Sequence, residues 1–287
     1  MKQELLNISD RIDAFSLEVL KLVIKSASEL KIKIFVIGAS AIDIVFDKIH
    51  NIAIHRATND IDFSIRVKSW EDYSRLIEKL ISSGFAASNI AHRFSYKSIP
   101  SIDIIPFGEI SLSNKSITWQ DKDSKEMNVM GYEECFNDSI IVRIQEKPPV
   151  DVKVASPRGL VLLKIISWKD AFPSRTADAI DILYIIRNYI EAGNSDRLYD
   201  EHNDLVDDNF DFELTGAILL GRDLANFANS STLSYVKDIL KKEIKNLPNS
   251  AFINDMLKGD FSSFREEKKV DHYVSLVKNL LYGLQSN

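Results

Sequence analysis

Apolar residues recur at helical spacing over residues 13–30, where Phe15, Val19, Leu22, Val23 and Leu30 share a face, so this segment predicts an amphipathic helix. Ile32 to Ile37 is a short apolar run broken only by Lys33, and its β-branched content predicts a buried strand. Gly38 ends that strand, and Ala39 to Phe46 predicts a helix starting there. Residues 47–59 show no clean period and read as a loop. Asp60, Asp62 and Ser64 then alternate with Ile61, Phe63 and Ile65, the period-two pattern of a strand with one face in the core. Trp70, Tyr73, Leu76, Ile77, Leu80 and Ile81 fall on one helical face, and Gly84 closes that helix. Strands are expected at 92–97, around Ile102 and Ile104, and near 115–119, 126–130, 139–145 and 149–154. That order predicts an α+β fold, a mixed sheet with helices on one side.

From residue 157 the pattern is helical to the end. Ser156 before Pro157 has the form of an N-cap followed by the first helical position, where proline's missing N–H costs nothing. Leu160, Leu163, Lys164 and Ser167 share a face, a second helix is expected over about 175–190, and the last is amphipathic through Val270, Tyr273, Val274, Val277, Leu280, Leu281 and Leu284. The change of pattern predicts two domains, an α+β domain over 1–155 and an α-helical domain over 156–287. No internal repeat or low-complexity tract interrupts them.

Composition adds boundaries to this picture. With 287 residues, 45% of them hydrophobic and 27% charged, the chain can build its core without disulfide or metal staples. The single cysteine, Cys135, excludes an internal disulfide and fits a reducing cytoplasm. The N-terminus lacks the layout of a signal peptide, and no run approaches the roughly 18 apolar residues of a membrane helix, so a cytoplasmic protein without membrane contact is expected. A net charge of −6 argues against binding nucleic acid through broad electrostatics while leaving room for a local basic groove. Asp196 to Glu213 carries eight acidic residues against one arginine, Arg197. It reads as a solvated loop, the alternative being a docking surface for a basic partner. The five histidines show no zinc-ligand spacing.

The candidate chemistry lies in the carboxylates. On a strand, residues two apart point the same way, so Asp60 and Asp62 face outward together while Ile61 and Phe63 anchor the strand. Carboxylates that close repel unless a cation lies between them, and hard oxygen ligands suit magnesium or manganese. Asp103 sits between Ile102 and Ile104 on its own expected strand and completes a set of three if the two strands are neighbours. Such a set suits two-metal phosphoryl-type transfer, with Asp103 placed to take the acceptor proton. Gly38-Ala39-Ser40, between a strand and a helix, offers backbone N–H groups and a hydroxyl for phosphates. Singly, each of these pieces is commonplace: an Asp-X-Asp strand is usually a solvated face and a glycine at a strand end usually a turn. Their order along the chain is the informative feature.

Val36-Ile37-Gly38-Ala39-Ser40-Ala41, followed by Arg56-Ala57-Thr58-Asn59-Asp60-Ile61-Asp62-Phe63, resembles the AbiEii-type nucleotidyltransferases, polymerase-β-like enzymes of which some act as toxins of type IV toxin–antitoxin pairs. Ser101-Ile102-Asp103-Ile104-Ile105-Pro106-Phe107-Gly108 is similar to that family's third-carboxylate segment, and Ser156-Pro157 through Lys164 and Trp168, then Arg175, Asp178 and Asp181, to its helical motif. The similarity spans roughly residues 30–225. It implies a polymerase-β-like mixed sheet with flanking helices and an α-helical C-terminal domain. It also implies that Gly38, Ala39 and Ser40 contact NTP phosphates and that Asp60, Asp62 and Asp103 bind metal. Arg56 and Thr58 are expected to shape the loop before the metal strand, with Thr58 a hydrogen-bond donor to the nucleotide. Lys164 would steady the triphosphate, with Asp178 orienting it and Asp181 in support; Asp178 and Asp181, three apart, share a helix face. Without the resemblance, Lys164 could equally be a lysine snorkelling from a core helix. Ala39 departs from the pattern, since many relatives carry a second glycine or a serine there.

Three functions remain open from these residues. The chain could transfer nucleotide to RNA such as a tRNA end, with a cognate antitoxin as partner. It could modify a cationic small molecule, as antibiotic-modifying relatives do. It could also bind nucleotide or a partner without turnover.

Overall fold

The computed structural model describes residues 6–56, 58, 60–97, 99–120, 124–208, 210–259 and 266–285. The alternating and apolar runs become β1 (Leu6–Asn7), β2 (Lys33–Ile37), β3 (Asp60–Val67), β4 (Ala86–Ala87), β5 (Arg93–Tyr96), β6 (Ile99–Gly108), β7 (Ser116–Thr118), β8 (Glu126–Asn128), β9 (Ile140–Gln145) and β10 (Val150–Val154). Among the described residues, eight of these form one mixed sheet in the order β1-β9-β10-β2-β3-β6-β5-β4, with β7 and β8 as a separate pair. The neighbouring strands β3 and β6 run parallel, whereas β2 pairs with β3 and β5 with β6 in antiparallel fashion. The chain divides into two compact units, residues 1–156 and 157–287.

In the first unit, α1 (Ala14–Glu29) starts where the Asp13 carboxylate accepts from the backbone N–H groups of Phe15 and Ser16, satisfying two of the helix's free donors. Helix α2 (Gly38–Ile42) continues through a π-helical segment, Asp43–Ile49, so the helical stretch runs past the predicted end at Phe46 and the loop begins only at His50. Ile44, Val45 and Phe46 are buried in succession, and Lys48 pairs with Asp43 at 3.6 Å and with Asp47. Beyond Phe46, Asp47, Lys48 and Ile49 are all half-buried, so the extension carries no apolar stripe from which a helical period could be read. Helix α3 (Trp70–Ser82) is capped by Ser69 and packs against α1. Phe15 and Ile81, expected in the core, lie exposed instead, each at the end of its helix.

The expectation of helices on one side of the sheet is corrected by α4 (Tyr132–Asp138). Its Phe136 ring packs 5.7 Å from Phe35 and 5.9 Å from Phe107. Val36, the next residue of β2, lines a cavity with Leu20 of α1. Successive strand residues face opposite ways, so α1 and α4 cover opposite faces. A seven-residue helix is too short to display a period.

The second unit contains α5 (Pro157–Asp170), α6 (Thr176–Asn188), α7 (Ser195–Asp200), α8 (Phe212–Phe227), α9 (Ser230–Lys245), α10 (Ala251–Leu257) and α11 (Glu266–Gln285). Helix α5 begins at Pro157 as the Ser-Pro pair predicts. The buried Asp223 of α8 ties three segments together: it accepts from the Tyr189 hydroxyl at 2.5 Å and from both arms of Arg197 at 2.8 and 2.9 Å. The acidic stretch expected as a solvated loop is partly helical and partly neutralised, because Asp204 pairs with Arg222 and Glu213 with Arg187 and His272. No helix of the described residues is long and apolar enough to cross a membrane.

Helices α8 and α11 meet at Gly221 and Gly283. A Cβ built on Gly221 would lie 2.3 Å from the Leu280 carbonyl oxygen and 2.9 Å from the Gly283 Cα. These are backbone atoms, so the helices would have to separate. Gly221→Ala is therefore expected to destabilise the protein by about 1–3 kcal/mol, despite alanine's better helix propensity. An unchanged denaturant midpoint, followed by far-ultraviolet circular dichroism, would show that the two helices tolerate a wider spacing.

Candidate active site

The alternation in β3 does what the pattern requires: Ile61 and Phe63 are buried, Asp60 is exposed and Asp62 half-buried. The parallel register of β3 and β6 sets Asp62 opposite Asp103 and Asp60 opposite Ser101. Register partners on neighbouring strands project to the same face, so Asp60, Asp62 and Asp103 share one side of the sheet. Ile102 and Ile104 turn the other way into the core.

Gly38 packs directly on Asp62. Its φ is +69°, and a Cβ there would lie 1.9 Å from Asp62 Oδ2 and 3.0 Å from Asp62 Cβ. Glycine is thus needed both for the backbone turn from β2 into α2 and for room beside the carboxylate. Ser40, buried two residues on, donates its hydroxyl hydrogen to the Ile37 carbonyl at 3.1 Å and accepts from the Asp62 backbone N–H at 3.3 Å. It staples α2 to the metal-candidate strand. Ala39 occupies the first turn of α2 between them. Thr58 accepts from the Asp60 backbone N–H at 3.2 Å and so shapes the entry to β3. Ala57 and Asn59 of the same motif lie outside the described residues.

The predicted convergence needs one correction. Among the described residues, no group of three His, Cys, Asp or Glu side chains is close enough to hold a metal ion. Both oxygens of Asp103 are taken by Arg93 of β5, with Nε donating to Oδ1 and Nη2 to Oδ2 at 2.8 Å each. His92 Nε2 lies 3.8 Å from Asp103 Oδ2, and its ring stands 5.3 Å from Trp119. The hydrogen bonds to Asp103 are the largest influence raising the Arg93 guanidinium above its ordinary pKa, and Asp60 and Asp62 add to them through space. Burial, and after it the charge of Asp103, push the Tyr73 hydroxyl up as well.

The donor set nevertheless fits a divalent ion. Three hard carboxylates share a face on which a cationic guanidinium already sits. The buried Ser101 hydroxyl, opposite Asp60, has no hydrogen-bond partner among the described residues. Arg93 and Ser101 were not singled out from sequence. Arg93 reaches the site through an antiparallel pairing with Asp103, which no local pattern encodes.

A cavity of about 320 Å³ opens beside Ser40, Thr58 and Asp60. Asp13, Asp43 and Lys48 also line it. Burial is the main cause holding the Asp43 carboxyl above its ordinary range, partly offset by Lys48.

In the second unit Lys164 is only 6% exposed, and its ammonium donates to Asp181 Oδ2 at 2.6 Å and Asp178 Oδ1 at 3.2 Å. Asp178 also accepts from Arg175 Nε at 2.7 Å. The three-residue spacing does bring both aspartates to Lys164, with Asp181 making the shorter contact. Burial works against the ammonium, but Asp181 and Asp178 outweigh it and hold Lys164 above its ordinary pKa.

A family model described as "Nucleotidyl transferase AbiEii toxin, Type IV TA system" matches residues 22–274. The chain belongs to this AbiEii nucleotidyltransferase family. The match takes in both units and both residue clusters. No curated protein matches the chain significantly. Among solved structures, the chain is similar to the antibiotic-resistance factor ANT(2'')-Ia in solution, at 12% identity and a TM-score of 0.35, covering 67% of this chain and 98% of that one. The crystal structure of ANT(2")-Ia with adenylyl-2"-tobramycin gives 12% identity and a TM-score of 0.38, covering 64% and 99%. The Thermotoga maritima CCA-adding enzyme complexed with tRNA gives 13% identity and a TM-score of 0.26, covering 97% and 85%. These likenesses are weak, and the family assignment stands on the family model.

Proposed function

We propose that this AbiEii family member moves a nucleoside monophosphate from an NTP to an acceptor hydroxyl, using magnesium or manganese on Asp60, Asp62 and Asp103. The reading rests on the register of β3 and β6, which sets Asp62 beside Asp103 with Asp60 on the same face. When bound, two divalent ions would supply the charge neutralisation that in-line displacement at phosphorus needs. Asp60 and Asp62 would hold both, and Asp103 the one on the acceptor side. The rest of the work is positional. The acceptor oxygen bonds to the α-phosphorus, the α–β bridging P–O bond breaks, pyrophosphate leaves, and the acceptor proton passes to an Asp103 oxygen. Gly38, Ala39 and Ser40 contribute the first turn of α2 to the phosphates, and Thr58 the loop beside it. Lys164 steadies the triphosphate, oriented by Asp178 and Asp181.

The acceptor in this reading is RNA, such as a tRNA end, and the setting is a cytoplasmic toxin restrained by a cognate antitoxin protein; the toxin description of the matched family supports the toxin–antitoxin setting. A cationic small molecule is the second reading, favoured by the net charge of −6 and by a cavity lined with Asp13, Asp43 and Asp60 against the one lysine, Lys48.

Incubating the protein with Mg²⁺, each α-³²P-labelled NTP, total cellular RNA and separately a panel of aminoglycosides tests both. Label on RNA, lost in Asp60→Asn/Asp62→Asn, is the expected result. Label on a small molecule alone would move the assignment to the second reading. Tight NTP binding with no transfer to any acceptor, unchanged in the double variant, would replace the enzyme with a nucleotide-binding protein.

A further inference from the structure

The contact between Arg93 and Asp103 has a consequence for how the site is loaded. Asp103 stands between two neighbours in the sheet, Asp62 on β3 and Arg93 on β5. The carboxylate is fixed, with its side chain 12% exposed, whereas the arginine side chain is 38% exposed. The arginine is therefore the partner that can leave without uncovering the core. Its two hydrogen bonds, each 2.8 Å, occupy one lone pair on each Asp103 oxygen. A guanidinium and a divalent ion sharing that carboxylate would repel each other at a separation well inside the screening length of salt.

We infer that Arg93 is a counter-ion latch: while no metal is bound it pairs with Asp103 and offsets part of the charge that Asp103 shares with Asp60 and Asp62, and it must release Asp103 for a divalent ion to bind. Arg93 is on this account a positioning residue. The inference rests on the metal site proposed above. It assigns the arginine two consequences. Asp103, the most buried of the three carboxylates, has its counter-ion without metal, so its burial does not depend on an ion. The apparent affinity for the ion is lowered by the fraction of molecules in which the latch is closed.

The test follows the Arg93 Nε–H resonance by ¹H–¹⁵N NMR, assigned by its loss in Arg93→Lys, together with the backbone amides of Gly38 and Asp62, as Mg²⁺ is added to the full chain. All three signals are expected to move together, with the Arg93 signal approaching that of a solvated arginine. In a parallel Mn²⁺ titration read by electron paramagnetic resonance, Arg93→Gln is expected to bind about tenfold more tightly, the factor that a latch closed roughly nine-tenths of the time imposes. Movement of the Gly38 and Asp62 amides with Arg93 still bonded would overturn the latch and leave the metal site standing. Equal Mn²⁺ affinity in wild type and Arg93→Gln would do the same. No response at any of the three signals, as in an Asp60→Asn/Asp62→Asn control, would remove the metal site and the latch together.

Discussion

Gly38→Ala is expected to lower nucleotide transfer by about a hundredfold or more while leaving the fold standing. A misplacement of about 1 Å in a catalytic group can cost that much, and the substitution misplaces Asp62 by construction. The new methyl group would lie 1.9 Å from Asp62 Oδ2 and 2.7 Å from Asp62 Cγ. The carboxylate can escape only by rotating away from the face it shares with Asp103. The positive φ of +69° adds backbone strain of about 1–2 kcal/mol. That strain is small beside typical domain stability, so the variant should remain folded with a modestly lowered denaturant midpoint. Measuring kcat/KM for label transfer beside an unfolding curve separates the two effects. Transfer at the wild-type rate in a folded Gly38→Ala protein would show that the Asp62 position seen here is not the working one.

Lys164→Ala should cost about 3–5 kcal/mol of stability, the usual penalty for removing one member of a buried ion pair. Asp181 is fully buried and would lose its 2.6 Å contact, while Asp178 would retain Arg175. The folded-state pKa of Lys164 is raised, so its stabilising contribution is fully present below the ordinary lysine value and is lost only as pH rises through the folded one. The penalty should therefore be the same at pH 6 and pH 8 in guanidinium titrations. Lost activity in this variant would not by itself assign Lys164 to the triphosphate, because an unfolding-prone protein also loses activity. Lys164→Met combined with Asp181→Leu replaces the charged pair by apolar groups and should recover most of the stability. If the ammonium steadies the triphosphate, transfer stays low in that double variant. Wild-type transfer there would make Lys164 a purely structural residue.

The candidate site was legible in unequal parts. The facing of Asp60 and Asp62 could be read directly, because a strand's two-residue period records which side chains leave the core. Gly38 could be picked out as a turn, but the reason for it, an Asp62 oxygen occupying the space of its Cβ, lies between residues distant in sequence. Ser40 was expected to offer its hydroxyl to phosphate, whereas in the folded chain that hydrogen goes to Ile37 and the oxygen accepts from Asp62. Asp178 was expected to lead in orienting Lys164, yet Asp181 makes the shorter contact, since Asp178 is shared with Arg175.

Local pattern alone determined the α+β character of residues up to Val154, the helical character after Pro157, and the side of the strand on which each carboxylate stands. Those properties depend on the spacing of apolar residues a few positions apart, which the chain carries whether or not it is folded. Tertiary structure decided that β3 and β6 are parallel neighbours, that α4 covers the sheet face opposite α1, and that Arg93 holds both oxygens of Asp103. These pairings join residues far apart along the chain. Their register is chosen by which side chains fill the core together, a property of the packed molecule that no single segment contains.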